Sequence, residues 1–298
     1  MINSVDEYLA QLKKELEGND AAVIQDALSD AEEYLRTALA NPGDGPNLSE
    51  SEALSSIIEK FGSPVEVAAG YKQMEIRAPA GLVRVSAQGR RSALVRFFGV
   101  FGDPRAWGSL LYMLVSLATG IIYFTWVVTG LSVSAGLLVL VVGLPLLTLF
   151  LLSVRAIAFV EGRMAEALLG VRMPRRARFF NPSGGFWQKI KSLFGERITW
   201  TAMAYDILQL PLGIFYFTVS VTLLALAFYS ITLPIMQLFF NMPLYFIIGD
   251  TRYQFVAWAI PIFVVGGALL LTVTMHLVRL LGRAQGNWAK VMLVANKN

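Results

Sequence analysis

Few side chains in this 298-residue chain have the types and spacing that chemistry needs. Asp206 is the one acid inside a long apolar run. It lies six residues beyond Trp200, about 9 Å along a helix at 1.5 Å per residue. A carboxylate so placed either serves an ion, proton or ligand path or pairs with a nearby base, and Arg155 is the candidate partner. His276 is the only histidine and sits near the end of the last apolar run, where a helix C-terminus favours an imidazolium. One histidine and no cysteine exclude a His-rich metal site, thiolate chemistry and a disulfide framework. The apolar runs hold no nucleophile–base pair and no paired carboxylates. The expectation is a protein that is not an enzyme and takes no cofactor and no metal.

One pattern has more content, because the chain writes it twice. Phe101–Thr125 reads FGDPRAWGSLLYMLVSLATGIIYFT, and Phe194–Thr218 reads FGERITWTAMAYDILQLPLGIFYFT, at a constant offset of 93. Trp107, Tyr112, Gly120, Tyr123 and Phe124 are among the identities. A repeat of this kind decides the fold before any single residue does. The glycines admit close contact between helices in a membrane. Two readings follow. Either Gly120 and Gly213 pack the copies together with the tyrosines as interface anchors, or the seam encloses an aromatic-walled cavity. That cavity would be lined by Gly120, Tyr123, Phe124, Thr125, Gly213, Tyr216, Phe217 and Thr218. Its apolar walls would suit a membrane lipid or amphiphile better than an ion or a sugar.

The elements that must position these residues are membrane helices. The chain is 55% hydrophobic and 15% charged, with mean hydropathy +0.57, whereas soluble domains carry about 25% charged residues. Runs long enough to span place helices at about 107–130, 137–154, 200–227 and 256–278. Basic residues cluster at 155–199 and after 278, which makes these segments and both termini cytoplasmic. A second register supports the repeat. Gly143, Thr148, Arg155, Gly162 and Leu169 recur at Gly267, Thr272, Arg279, Gly286 and Leu293, an offset of 124. The 31-residue difference falls on about 228–253. That segment is expected to be an extracytoplasmic insertion broken by Pro234, Asn241 and Pro243, with a fifth span as the competing reading. Two helical hairpins in the same orientation form a parallel repeat.

Residues 1–76 differ in character. They carry 5 Lys/Arg against 15 Asp/Glu, a net of −10, while residues 77–298 carry a net of +14. The basic excess belongs to span flanks, so it gives no reason to expect direct nucleic-acid binding. Apolar residues at helical spacing predict four short helices here, with Ser–Glu capping boxes at Ser4/Glu7, Ser49/Glu52 and Ser63/Glu66. The fold class expected is all-α: a small acidic cytosolic bundle (1–76), a basic linker (77–100) and a four-helix membrane domain (101–298). Residues 91–101 are expected to lie along the membrane surface. The N-terminal stretch is polar, so the first span is expected to act as its own insertion signal.

The pattern EYLAQLKKEL…DAEEYL…SESEALSSIIEKFGSPVEVAAGY resembles the HAAS signalling domain of bacteria. That resemblance implies a cytosolic helical module allied to membrane proteins, with a PadR-type DNA-binding regulator as the kind of partner. DPRAWGSLLYMLVSLATGIIYF, GLPLLTLFLLSVRAIAFVEGRMAEALLGV and TMHLVRLLGRAQGNWAKVML are similar to a bacterial sensor domain seen ahead of some actinobacterial histidine kinases. Its matches include Trp107, Tyr112, Gly120, Glu161, Arg163, Leu168, Leu169 and Gly170. No kinase follows within these residues, so any output is expected to pass through residues 1–76. The expectation is a multi-pass sensor of the bacterial cytoplasmic membrane. It would read a lipid-soluble ligand or membrane state and relay it to a cytosolic regulator. A small transporter or permease-like subunit is the alternative, and a homo-oligomer is compatible with either.

Overall fold

A computed structural model describes residues 2, 4–40, 50–77, 93–138, 143–175, 191, 193–240, 245–254 and 260–294. The loop at 41–46, Ser49, linker residues 78–92, and Asn241 and Pro243 lie outside the described residues. The described chain is all-α apart from one short hairpin. Its helices are α1 (Val5–Glu15), α2 (Ala21–Ala40), α3 (Glu50–Phe61), α4 (Pro64–Arg77), α5 (Ala93–Phe98), α6 (Pro104–Leu137), α7 (Gly143–Leu169), α8 (Arg197–Phe240) and α9 (Ile260–Leu293). Strands β1 (Tyr245–Ile248) and β2 (Thr251–Gln254) pair antiparallel, Tyr245 opposite Gln254, around Gly249 at φ +62°. Four helices (α6, α7, α8 and α9) are long and apolar enough to cross a membrane.

The chain divides into two compact units. The first comprises 1–83, 127–205 and 287–298, and the second 84–126 and 206–286. In the first, α1 to α4 close around Tyr8, Leu12, Leu16, Leu35 and Leu54, all buried. Each fully buried leucine stabilises the bundle by roughly 1.5–3 kcal/mol. The caps form as the spacing predicts: the Glu7 amide donates to Ser4 Oγ at 3.1 Å. At α4 the exchange is reciprocal, with the Ser63 amide donating to Glu66 Oε2 at 2.8 Å and the Glu66 amide returning to Ser63 Oγ. The Tyr8 hydroxyl donates to the carbonyl of Gly62, which closes α3 at φ +108°. Burial and the Glu66 carboxylate push that phenol up to about 12, so it remains a donor across the physiological range.

The third membrane helix differs from expectation. It neither ends near residue 227 nor breaks at Pro234, and α8 runs 44 residues to Phe240 with Pro211 and Pro234 inside it. An internal proline costs a helix about 3 kcal/mol. At Pro211, about 21 Å along α8, leaving the helix within an apolar medium would strip hydrogen bonds from many backbone groups, which costs more. At 1.5 Å per residue α8 is about 66 Å long, roughly twice the hydrocarbon thickness. The inserted segment is therefore a helical extension followed by the β1–β2 hairpin.

Candidate functional site

The second unit contains the glycine seam. A Cβ built on Gly120 would lie 2.7 Å from the Gln209 carbonyl oxygen and 2.9 Å from Leu210 Cα. One built on Gly213 would lie 2.4 Å from the Ser116 carbonyl oxygen and 3.1 Å from Leu117 Cα. Subtracting 93 from 213, 209 and 210 returns 120, 116 and 117, so the two contacts are the same contact seen from each copy. α6 and α8 cross backbone against backbone, with no room for a ligand between the glycines. Beyond the crossing the faces match as well. Tyr123 and Tyr216 are buried, Phe124 and Phe217 half-buried, Thr125 and Thr218 exposed.

Beside the seam lies a buried polar cluster. Tyr112 Oη accepts from Gln209 Nε2 at 3.1 Å and from Gln285 Nε2 at 3.2 Å. Gln285 Nε2 also approaches Gln209 Oε1 at 3.2 Å, and Tyr216 Oη donates to Gln285 Oε1 at 2.9 Å. Four buried side chains from three helices thus satisfy one another. Nearby, Arg279 pairs with Asp103 at 3.0 Å, and His276 Nε2 meets the Phe97 carbonyl at 3.0 Å with the two rings stacked. His276 therefore ties α5 to α9.

The first unit holds counterparts of these pairs. Tyr205 Oη donates to the buried Glu161 Oε1 at 3.0 Å. Position 205 is 112 plus 93, and 285 is 161 plus 124, so Tyr205–Glu161 and Tyr112–Gln285 are equivalent. Arg155 pairs with Glu196 at 3.0 Å, the counterpart of Arg279–Asp103. Both offsets are thus obeyed by contacts as well as by letters, and each pair joins the first helix of one copy to the second helix of the other. Trp107 and Trp200 each donate from Nε1 to the carbonyl six residues back, Phe101 and Phe194. Arg155, one of the candidate partners for Asp206, directs Nε and one terminal nitrogen to Thr199 Oγ1 at 3.0 and 2.6 Å. Asp206 itself is fully buried.

The same unit seats the acidic bundle on the helix ends. Asp20 caps α2 through its Oδ1, which accepts from the Ala22 amide, while its Oδ2 pairs with Lys290 of α9. Asp26 Oδ1 accepts from the Arg175 amide at 2.8 Å. Its Oδ2 is buried without a hydrogen-bond partner among the described residues. Burial holds the Asp26 carboxyl above the usual range, although the Arg175 amide and Arg172 pull it down. Beneath α2 lies a cavity of about 50 Å³ in which Gln25 faces Arg155, Ala158, Phe159, Ile198 and Ala202.

Comparison with known families gives two matches. The model of the family described as "Putative sensor" matches residues 112–293, more than half of the chain. The chain belongs to that sensor family. A second model, HAAS, matches residues 7–70, the acidic bundle. No match is found among curated proteins or among solved structures. With four apolar helices, the sensor-family chain is a multi-pass membrane protein with a signalling module at its front.

Of the predicted seam residues, Gly120 and Gly213 are thus brought to the α6–α8 crossing as packing and Tyr216 joins the polar cluster, while Thr125 and Thr218 face outward. Gln209, Gln285 and Glu161 carry the buried polar contacts beside them. Their signal in the sequence is a polar residue inside an apolar run at a repeat-related position.

Proposed function

We propose that this sensor-family protein reads a small ligand or a change in helix packing at its cytoplasmic helix ends and relays it by holding or releasing its HAAS bundle. The observation that supports this is the seat of α2, where Asp20 pairs with Lys290 and Asp26 accepts from Arg175. A signal is transmitted only if it binds one packing better than the other. The glycine seam and its polar cluster offer such a bistable contact, since helices this close cannot deform by small degrees. The partner is a cytosolic regulator that engages the released bundle, and the HAAS resemblance makes a PadR-type DNA-binding protein the first candidate. In this reading the bundle and both termini face the cytoplasm of a bacterial cell, the β1–β2 hairpin lies on the opposite side, and no catalysis is involved.

Because the chain has no cysteine, a lock is simple to build. Asp20→Cys with Lys290→Cys, bridged in cells by a membrane-permeant bismaleimide, is expected to freeze the bundle in its seat and to mimic one signalling state. Transcript profiles of the bridged strain, the unbridged strain and a deletion strain are compared. Identical profiles in all three would sink the relay.

A further inference from the structure

The cavity beneath α2 is more specific than a seat requires. Its walls include Ala158, Phe159, Ile198 and Ala202, and its polar side chains are Gln25 and Arg155. The repeat shows what those walls replace. By the two offsets, the matching positions at the α6–α9 pairing are Gly282, Arg283, Arg105 and Ser109. Two arginines, a serine and a glycine there become an apolar lining at the α7–α8 pairing, and it is the α7–α8 pairing that meets Gln25 of α2. Packing the bundle alone does not need the guanidinium. Arg155 is 5% exposed, and its partners include Thr199 and Glu196 at the start of α8. The Glu196 side chain is 36% exposed, so it can turn to water if another anion takes its place.

We propose that this cavity is a binding site for a short apolar carboxylate, its chain against Ala158, Phe159, Ile198 and Ala202 and its carboxylate on Arg155. A planar guanidinium favours a carboxylate with paired hydrogen bonds, and burial strengthens the pairing. The size suits an acid of a few carbons, since a single water needs roughly 10–15 Å³ of such space. Gln25 comes from α2, so the ligand touches the bundle that the proposed relay moves. The site itself rests on the cavity alone.

The test uses the full chain in lipid nanodiscs carrying Ala202→Cys, a near-isosteric change that introduces the single thiol. Labelling by a small maleimide is followed against butanoate, butanol and butylammonium. Butanoate is expected to protect saturably, at concentrations at least tenfold below those needed with the other two. Arg155→Gln is expected to erase that preference. Gly162→Leu supplies a second variant, because a Cβ there meets only the Met173 side chain at ordinary distance, 3.7 Å, and the larger group fills the space. It is expected to abolish both labelling and protection. A thiol that never reacts in the Ala202→Cys protein, no protection by butanoate, or equal protection by butanol would each overturn the site. None of those results would touch the transcript comparison, so the site and the relay fail separately.

Discussion

Replacing Gly213 by alanine puts a methyl carbon 2.4 Å from the Ser116 carbonyl oxygen, where ordinary contact begins at 3.4 Å. The obstacle is backbone, so no rotamer change can relieve it, and α6 and α8 must part by about 1 Å at the crossing. Gly120→Ala asks for less, because its methyl would meet the Gln209 oxygen at 2.7 Å. A gap of 0.5–1 Å forfeits a quarter to a half of each dispersion contact along the seam, and overpacking of this kind costs about 1–3 kcal/mol. The better helix propensity of alanine returns up to about 1 kcal/mol. The expected net losses are about 2 kcal/mol for Gly213→Ala and about 1 kcal/mol for Gly120→Ala. The double variant is the sharper measurement. One separation of the helices relieves both methyls, so its loss should fall short of the sum by at least about 0.5 kcal/mol. Gly266→Ala is the control: it meets nothing within 4 Å and should be neutral or slightly stabilising. Unfolding free energies by steric trapping in bicelles give all four values. If both single variants lie within about 0.3 kcal/mol of the parent, or the double is simply additive, the shared crossing is refuted.

Other outcomes are equally direct. Tyr112→Phe leaves the Gln209 and Gln285 amides short of an acceptor and should destabilise by about 1–3 kcal/mol, measured the same way. Tyr216→Phe removes one donor to Gln285 and should cost less. Asp26 has its folded value raised, chiefly by burial, so the folded protein binds that proton more tightly than the unfolded chain. Its contribution is then greatest below the ordinary carboxyl range, near 3.9, and falls as pH rises to the raised value. Asp26→Asn should abolish this slope in thermal midpoint against pH without loss at neutral pH, since the amide oxygen can still accept from Arg175. Glu66 has the opposite sign. The Ser63 hydrogen bonds hold its carboxyl low, so that support is present at neutral pH and is lost as pH falls through the depressed value. Ser63→Ala should remove this acid sensitivity from the melting of the bundle. Lys290→Glu should loosen the seat of α2 and raise protease cleavage in the bundle, an effect that salt imitates in the parent.

Much of the architecture is legible before any coordinates. Apolar runs reveal the membrane helices because a bilayer tolerates backbone only when it is hydrogen-bonded within the segment. Local spacing reveals the caps at Ser4 and Ser63, because those bonds close within three residues. The offsets of 93 and 124 identify equivalent positions and select Gly120 and Gly213 as close contacts. Local rules fail at Pro234, where proline predicts a stop and the helix continues to Phe240.

Partnership is what only the tertiary structure decides. A heptad or a repeat says which face of a helix is polar, not which helix will meet it. Tyr112 and Gln285 are 173 residues apart, and Tyr205 and Glu161 are 44 apart, yet they are one contact made twice. Packing joins the first helix of each copy to the second of the other, and no spacing within either copy predicts that. The same holds for α2, which meets the α7–α8 pairing, where Ile198, Ala202, Ala158 and Phe159 stand in place of the Arg105, Ser109, Gly282 and Arg283 of the α6–α9 pairing. The letters record that asymmetry. The cavity it makes appears only when Gln25 is laid across Arg155, because a void belongs to the space between segments and to none of them alone.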